Sequence, residues 1–159
     1  MTEAEKLKEN LFRKTKTGWE GLQENVKNSI FTFCDNYIEF LNKSKTEREI
    51  VKSVKEIIEE KGFKNICEYS NLKPGDKVYY INREKSMYLA IIGKNSIENG
   101  INIIGAHADS PRLDLKPNPL YEDSGLAYLK THYYGGVKKY QWTTIPISMH
   151  GGIVKSNGE

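Results

Sequence analysis

Apolar residues in the first sixty positions recur at the spacing of α-helices. In the clearest stretch, between positions 22 and 41, successive apolar side chains are three or four residues apart, which places them on one helical face. They are Leu22, Val26, Ile30, Phe33, Tyr37 and Leu41. The pattern is too short to indicate a coiled coil, so it predicts a helix that packs one face against a core.

Two further helices are indicated by their ends. Thr46 precedes Glu49 by three residues, the spacing of a capping box, in which the two side chains bond free amides at a helix start. The same spacing joins Thr2 to Glu5. Gly62 suits the left-handed position just after a helix. The sequence therefore predicts a short first helix and a third helix that begins near Thr46 and stops at Gly62.

After this point the pattern is that of β-strands. Residues 77–81 and 86–92 are rich in β-branched and aromatic side chains and flank a polar turn, which predicts an antiparallel hairpin. Residues 101–106 are largely apolar, as expected of a central strand covered on both faces. Further strands are predicted over 126–134 and 140–154. Helices combined with these strands indicate an α/β or α+β fold.

Composition narrows the class of protein. The 159 residues are 38% hydrophobic and 28% charged, typical of one globular domain or part of a larger protein. Two cysteines cannot form a disulfide framework, so we expect a reducing, intracellular setting. Apolar runs such as residues 88–92 are far below the roughly 20 residues that span a bilayer. Residues 1–10 lack the apolar core of a secretory signal. We therefore expect no membrane partner.

The net charge of +3 is small but unevenly distributed. No acidic residue lies between Asp123 and Glu159, whereas lysines and aromatic residues alternate there. Such a stretch can bind single-stranded nucleic acid by stacking and by attraction to phosphates. It can also be a β-sheet whose edge lysines prevent pairing with other chains. The second interpretation is favoured, and we expect no nucleic-acid partner.

The candidate chemistry lies directly after the apolar run 101–106, where His107 and Asp109 follow. In extended backbone, residues two apart project to the same side. Asp109 is therefore placed to hold one ring nitrogen of His107, as carboxylates do for metal-bound imidazoles. A zinc site normally needs three or four protein ligands, so these residues alone favour a structural His107 that is hydrogen-bonded in a loop. His132 and His150 are interpreted as structural.

A longer stretch around these residues resembles a known family. Residues 101–120 closely resemble the aspartyl aminopeptidase family of zinc exopeptidases, in its clostridial-type branch. Residues 130–142 and 72–79 extend the resemblance along the chain. The family's His-x-Asp-Ser-Pro motif matches His107, Asp109, Ser110 and Pro111.

The resemblance implies a function for two of these residues. His107 would ligate one of two active-site metals, zinc in the first place, with cobalt or manganese as alternatives. Asp109 would belong to the catalytic residues as the group that orients this imidazole. Family enzymes remove single residues from peptide N-termini, and a glutamate base activates the attacking water. That base and the remaining ligands lie outside these 159 residues, so we expect the chain alone to be inactive.

The resemblance also implies a domain organisation. Residues 1–112 would begin an α/β catalytic domain with helices and a mixed β-sheet. Residues 113–159 would begin an inserted β-rich domain used in oligomer assembly. The family forms homo-oligomers, namely dodecamers. The chain is thus expected to be the N-terminal part of a cytoplasmic aminopeptidase that acts on peptides. The alternative is a non-catalytic, truncated relative that serves as an assembly or binding module.

Overall fold

Residues 2–13 and 15–158 are described by the computed structural model. The chain divides into two compact units, Met1–Glu39 and Phe40–Glu159. Within the described residues, no helix is both long enough and apolar enough to cross a bilayer.

The first two helices begin close to their predicted positions. Helix α1 spans Glu3–Leu11, and the Thr2 amide donates to the Glu5 carboxylate at 2.7 Å. In return, the Glu5 amide donates to the Thr2 hydroxyl at 3.4 Å. Helix α2 spans Glu24–Lys43, two residues further along the chain than the apolar stretch that predicts it. Both predicted helices are confirmed, but the prediction that α2 packs one face against a core is wrong for this structure. None of the described residues of α2 is buried, and Phe33 and Tyr37 are 70% and 53% exposed.

Helix α3 spans Glu47–Glu60 and has the predicted capping box. The Thr46 amide donates to the Glu49 carboxylate at 2.9 Å, and the Glu49 amide donates to the Thr46 hydroxyl at 3.3 Å. After the helix the chain turns at Gly62, whose φ of +82° is a left-handed conformation that glycine adopts without strain. The prediction of both helix ends is confirmed.

A three-stranded mixed sheet follows α3. Strand β1 (Lys64–Asn65) pairs in parallel with β2 (Lys77–Asn82), and a short 3₁₀ turn, Ile66–Glu68, follows β1. Strand β3 (Ser86–Ile91) pairs antiparallel with β2. The predicted hairpin is therefore confirmed, and the helices with this mixed sheet confirm the α/β class.

The core lies between α3 and β2. Its buried apolar residues are Val51, Ile58, Val78 and Tyr79. The Tyr79 hydroxyl reaches the helix and donates to the Glu59 carboxylate at 2.6 Å. This bond, together with burial, raises the pKa of Tyr79 to about 12. The contact joins helix and sheet through one polar group at the edge of the apolar core.

A second, two-stranded sheet is formed by β4 (Arg112–Asp123) and β5 (Leu126–Tyr134). The connecting residues Ser124 and Gly125 have φ values of +54° and +76°, as in the type I′ turn that suits antiparallel strands. Strand β5 confirms the prediction over 126–134. A short helix α4 (Lys139–Trp142) follows.

The prediction of a buried strand over residues 101–106 is wrong for this structure. The segment follows a 3₁₀ turn (Ile97–Asn99) and has no regular secondary structure. Ile103 and Ile104 are 78% and 99% exposed. A strand is held by the backbone of a neighbouring strand, and within the described residues neither sheet extends to this segment.

The strand predicted over residues 140–154 is also absent from the described part of the chain. Helix α4 occupies its beginning, and the rest has irregular backbone. Pro146 lacks the amide that a central ladder requires, and Gly151 and Gly152 weaken a strand interior. The apolar residues of this stretch indicate a strand, but the proline and the two glycines oppose one.

Candidate metal-binding site

His107 and Asp109 lie in the irregular segment that leads into β4, and their side chains are in contact. The Nδ1 atom of His107 is 2.8 Å from Asp109 Oδ1 and 2.9 Å from the Asp109 carbonyl oxygen. Because both partners are acceptors, Nδ1 carries the hydrogen and donates it. In the neutral imidazole the lone pair then lies on Nε2.

The second ring nitrogen of this imidazole, Nε2, is accessible. The His107 side chain is 82% exposed, and no described residue forms a hydrogen bond to Nε2. A ring held at one nitrogen and free at the other is the arrangement of a metal-ligating histidine. The structure therefore brings together the two residues that the sequence singles out. It leaves Nε2 of His107 accessible.

The second oxygen of Asp109 is also occupied. The Tyr134 hydroxyl, at the end of β5, donates to Asp109 Oδ2 at 2.5 Å. This bond is the largest cause that lowers the pKa of the Asp109 carboxyl, and the contact with His107 lowers it further. The same bond raises the pKa of the Tyr134 hydroxyl. Asp109 is thus an ionised acceptor held from two sides.

Tyr134 reaches Asp109 because of an irregularity in the β4–β5 hairpin. Leu115 pairs with Thr131 and Leu120 with Leu129, so β4 has three extra residues between these two pairs. Prolines at positions 117 and 119 cannot donate to the ladder, which favours a bulge there. The resulting register places Tyr134 opposite the first residue of β4, three positions after Asp109.

The segment and the hairpin also meet through backbone. A Cβ atom added to Gly135 would lie 3.3 Å from the Cα of Pro111, and Gly135 has a φ of +73°. Only glycine allows both this close approach and this conformation without strain. The contact fixes the end of the motif segment against the end of β5.

Arg112 holds the ring of Tyr134 from the opposite strand. Its guanidinium is 4.1 Å from the ring centre. Its Nε donates to Asp114 at 2.8 Å, and its Nη1 lies 3.6 Å from a Glu47 carboxylate oxygen. The bond to Asp114 is the largest cause that raises the pKa of Arg112. These contacts fix the guanidinium plane over the phenol ring.

The other two histidines of the chain bind elsewhere. His132 stacks on Tyr133, with 5.3 Å between ring centres. His150 lies between Glu49 and Ser148, with 2.8 Å from Nδ1 to the carboxylate and 2.8 Å from Nε2 to the hydroxyl. In the part of the chain that the structure describes, no three His, Cys, Asp or Glu side chains are close enough together to hold a metal ion.

Sequence reasoning missed Tyr134 and Arg112. The pair Ser124 and Gly125 is a signal for a two-residue hairpin turn, which could have predicted β4 as the partner of β5. Uniform pairing from that turn would nevertheless have placed Val137, not Tyr134, opposite Arg112. The register shift is what brings the tyrosine to the motif.

The α/β fold agrees with a zinc metalloprotease. So does the His107 imidazole, which Asp109 holds at Nδ1 and which is accessible at Nε2. Residues 40–159 match the family described as aminopeptidase I zinc metalloprotease (M18). The chain belongs to this family, which confirms the family predicted from the sequence.

Several relatives resemble the chain closely. It is 52% identical over 146 residues to "Probable M18 family aminopeptidase 1" from Borreliella afzelii. The matched segment covers 92% of this chain and 32% of that protein. The crystal structure of an M18 aminopeptidase from Thermotoga maritima is 40% identical with a TM-score of 0.80, covering 93% of this chain and 32% of that one. Aminopeptidase I from Clostridium acetobutylicum is 43% identical with a TM-score of 0.77, covering 94% and 34%. The chain thus spans about a third of the length of these relatives.

Proposed function

We propose that this chain is the N-terminal part of a zinc-dependent aminopeptidase that releases amino acids from the N-termini of peptides. Membership of the M18 family and the similarity to aminopeptidases over about a third of their length support the proposal. The observation that carries it is the arrangement of His107. Its Nδ1 donates to Asp109, its side chain is exposed within the family's motif, and no described residue bonds to its Nε2.

In this proposal His107 is a metal ligand through Nε2, and Asp109 orients it. The residues present fit this role, because the acceptors at Nδ1 select the tautomer whose lone pair is on Nε2. One imidazole is one ligand, so further ligands and the glutamate base would come from outside this chain. From the family resemblance we expect two divalent metals, zinc first and cobalt or manganese as alternatives.

The metal, when bound, supplies a Lewis acid that polarises a carbonyl oxygen and lowers the pKa of water. The chain's own contribution is electrostatic and geometric. The negative charge of Asp109 makes the His107 ring a better electron donor and keeps its plane fixed. Because the carboxylate is also held by Tyr134, it cannot turn away from the ring without losing a second hydrogen bond.

We extend the proposal to the organisation of the whole protein. Residues 1–112 would begin the catalytic domain, and residues 113–159 would begin a β-rich inserted domain. In support, β4 starts at Arg112 and forms a sheet with β5 that is separate from the β1–β3 sheet. The protein would be a cytoplasmic homo-oligomer, a dodecamer by family resemblance. In support of a cytoplasmic location, Cys34 and Cys67 are both free thiols, as is typical of a reducing compartment.

The test is an aminopeptidase assay on the full-length protein that contains these residues. It should release free amino acids from a peptide with a free N-terminus and none from the same peptide with an acetylated N-terminus. His107→Ala should abolish the release. Asp109→Asn should lower kcat while leaving the melting temperature nearly unchanged. A full-length protein that assembles but neither binds zinc nor cleaves peptides would contradict the proposal and favour the non-catalytic assembly module.

A further inference from the structure

We infer that Tyr134 is a positioning residue for His107 and acts through Asp109. The inference rests on the proposed function of His107 as a metal ligand. It assigns to the hydroxyl of Tyr134, a residue of the hairpin, a share in the metal affinity and turnover of the site. Among the described residues, the Tyr134 hydroxyl bonds to Asp109 and not to the imidazole, so its effect has to pass through the carboxylate.

The geometry forms a continuous chain of three groups. The Tyr134 hydroxyl donates to Oδ2 of Asp109, and Oδ1 of the same carboxylate accepts from Nδ1 of His107. A carboxylate bonded through one oxygen can rotate about its terminal torsion, because that torsion is soft. Bonded through both oxygens to groups on different segments, it has one orientation. The imidazole is then presented in one plane, which metal binding requires.

The phenol ring is itself fixed in place. It is paired across the hairpin with Arg112, whose guanidinium covers its face at 4.1 Å. The next residue, Gly135, lies against Pro111 and ties the end of β5 to the motif segment. Because its ring is fixed, Tyr134 can restrain the Asp109 carboxylate instead of moving with it.

The bond from Tyr134 to Asp109 is not a consequence of burial. Tyr134 is 43% exposed, so burial of the residue does not force its hydroxyl to find a protein partner. The adjacent Tyr133 is similarly exposed at 46%, and its ring stacks on His132 under Lys139, 4.0 Å from the lysine nitrogen. Tyr133 forms no bond to Asp109. It provides a matched control on the same strand.

The experiment measures zinc affinity in the full-length protein, with apoprotein titrated against a chelator of known affinity. Tyr134→Phe keeps the ring and removes only the hydroxyl. We expect it to raise the zinc Kd about three- to tenfold, below the ten- to hundredfold typical when a group in direct contact with a ligand is removed. It should lower kcat by a similar factor and leave KM unchanged. Tyr133→Phe should change none of the three quantities.

A double mutant shows whether the effect passes through Asp109. Asp109→Asn should raise the zinc Kd about ten- to a hundredfold, and adding Tyr134→Phe should raise it no further, because the path is already broken. Equal zinc affinity in Tyr134→Phe and Tyr133→Phe would overturn the inference, and so would additive effects in the double mutant. His107→Ala separates the two hypotheses. If it keeps full zinc, the proposed function fails. If it loses zinc while the two tyrosine variants are alike, only the role of Tyr134 fails.

Discussion

The guanidinium of Arg112 lies 4.1 Å from the ring centre of Tyr134, its partner across the β4–β5 hairpin. The planar fork also pairs with Asp114 and Glu47, which a lysine ammonium cannot reproduce. We expect Arg112→Lys to lower the opening free energy of the hairpin by about 1 kcal/mol, the scale of a cation–π contact at an exposed site. Amide hydrogen exchange of residues 112–134 in the full-length protein measures this opening, and exchange should become about fivefold faster.

The matched control for this change is Arg48→Lys. Arg48 forms an exposed ion pair with Glu84 at 2.9 Å and covers no aromatic ring of a described residue. Exposed pairs of this kind contribute little, so hairpin exchange should be unaffected. Equal exchange rates in the two arginine variants would show that the guanidinium does not hold the Tyr134 ring.

Gly135 allows the close contact with Pro111. In Gly135→Ala, the added Cβ would lie 3.3 Å from the Pro111 Cα, in a backbone conformation with φ of +73°. We expect a cost of about 1 kcal/mol or more, because an L-residue is strained there. Faster exchange of amides in residues 107–112 would report it. Gly136→Ala is the control, since its Cβ meets nothing within 4 Å, and an equal effect of both changes would contradict the explanation.

The hydrogen bond from Tyr79 to Glu59 predicts a pH dependence of stability. The pKa of Tyr79 is raised to about 12 from an ordinary 10, so the folded state favours the neutral phenol. Its stabilising contribution is complete below pH 10 and is lost as the pH rises towards 12. The melting temperature of Tyr79→Phe should therefore be below that of the wild type at pH 8, and the gap should close between pH 10 and 12.

The control for this pH dependence is Tyr80→Phe. Tyr80 is the neighbouring residue of β2, is 47% exposed, and forms no hydrogen bond to a described residue through its hydroxyl. With no such bond to lose, its replacement should leave the melting temperature close to that of the wild type at pH 8. A constant gap for Tyr79→Phe would mean that its hydroxyl contributes nothing through its protonation state.

Glu49 predicts a dependence with the opposite sign. Its contact with His150 is the largest cause that lowers its pKa, with smaller contributions from the amides and hydroxyl at the start of α3. A carboxyl with a lowered pKa stabilises the fold above its unfolded pKa of about 4.3 and loses this effect as the pH falls. Glu49→Gln keeps the capping geometry. Its melting temperature should be lower than that of the wild type at pH 6 and should converge with it below about pH 4.

Glu56→Gln, on the same helix, is the comparison for that experiment. It also replaces a carboxylate by an amide, but at a position where no described residue forms an ion pair with the carboxylate. Its melting temperature should follow that of the wild type at both pH values. If Glu49→Gln behaves in the same way, the contact with His150 does not stabilise the charged carboxylate.

Local signals in the sequence predicted much of this fold. The pairs Thr2 with Glu5 and Thr46 with Glu49 specify helix starts because each acts within four residues. The β2–β3 hairpin is similarly local. The contact of His107 with Asp109 follows from two residues of separation. Each of these features depends on neighbours that are visible in the sequence.

The features that could not be predicted depend on distant partners. Residues 101–106 have the composition of a buried strand, but composition does not show which strand pairs with them. The position of Tyr134 depends on the three extra residues of β4 near Pro117, and their number cannot be derived from the turn. Its bond to Asp109, 25 residues away, is a consequence of that register.

The central claim is that His107 binds a metal ion, and zinc content tests it most directly. The full-length protein, purified without chelator, would be analysed for zinc per protomer by inductively coupled plasma mass spectrometry. His132→Ala serves as the control, since that ring stacks on Tyr133 and is separate from the motif. We predict that His107→Ala loses at least one zinc ion per protomer while His132→Ala keeps the wild-type content. Wild-type zinc content in His107→Ala would contradict the account.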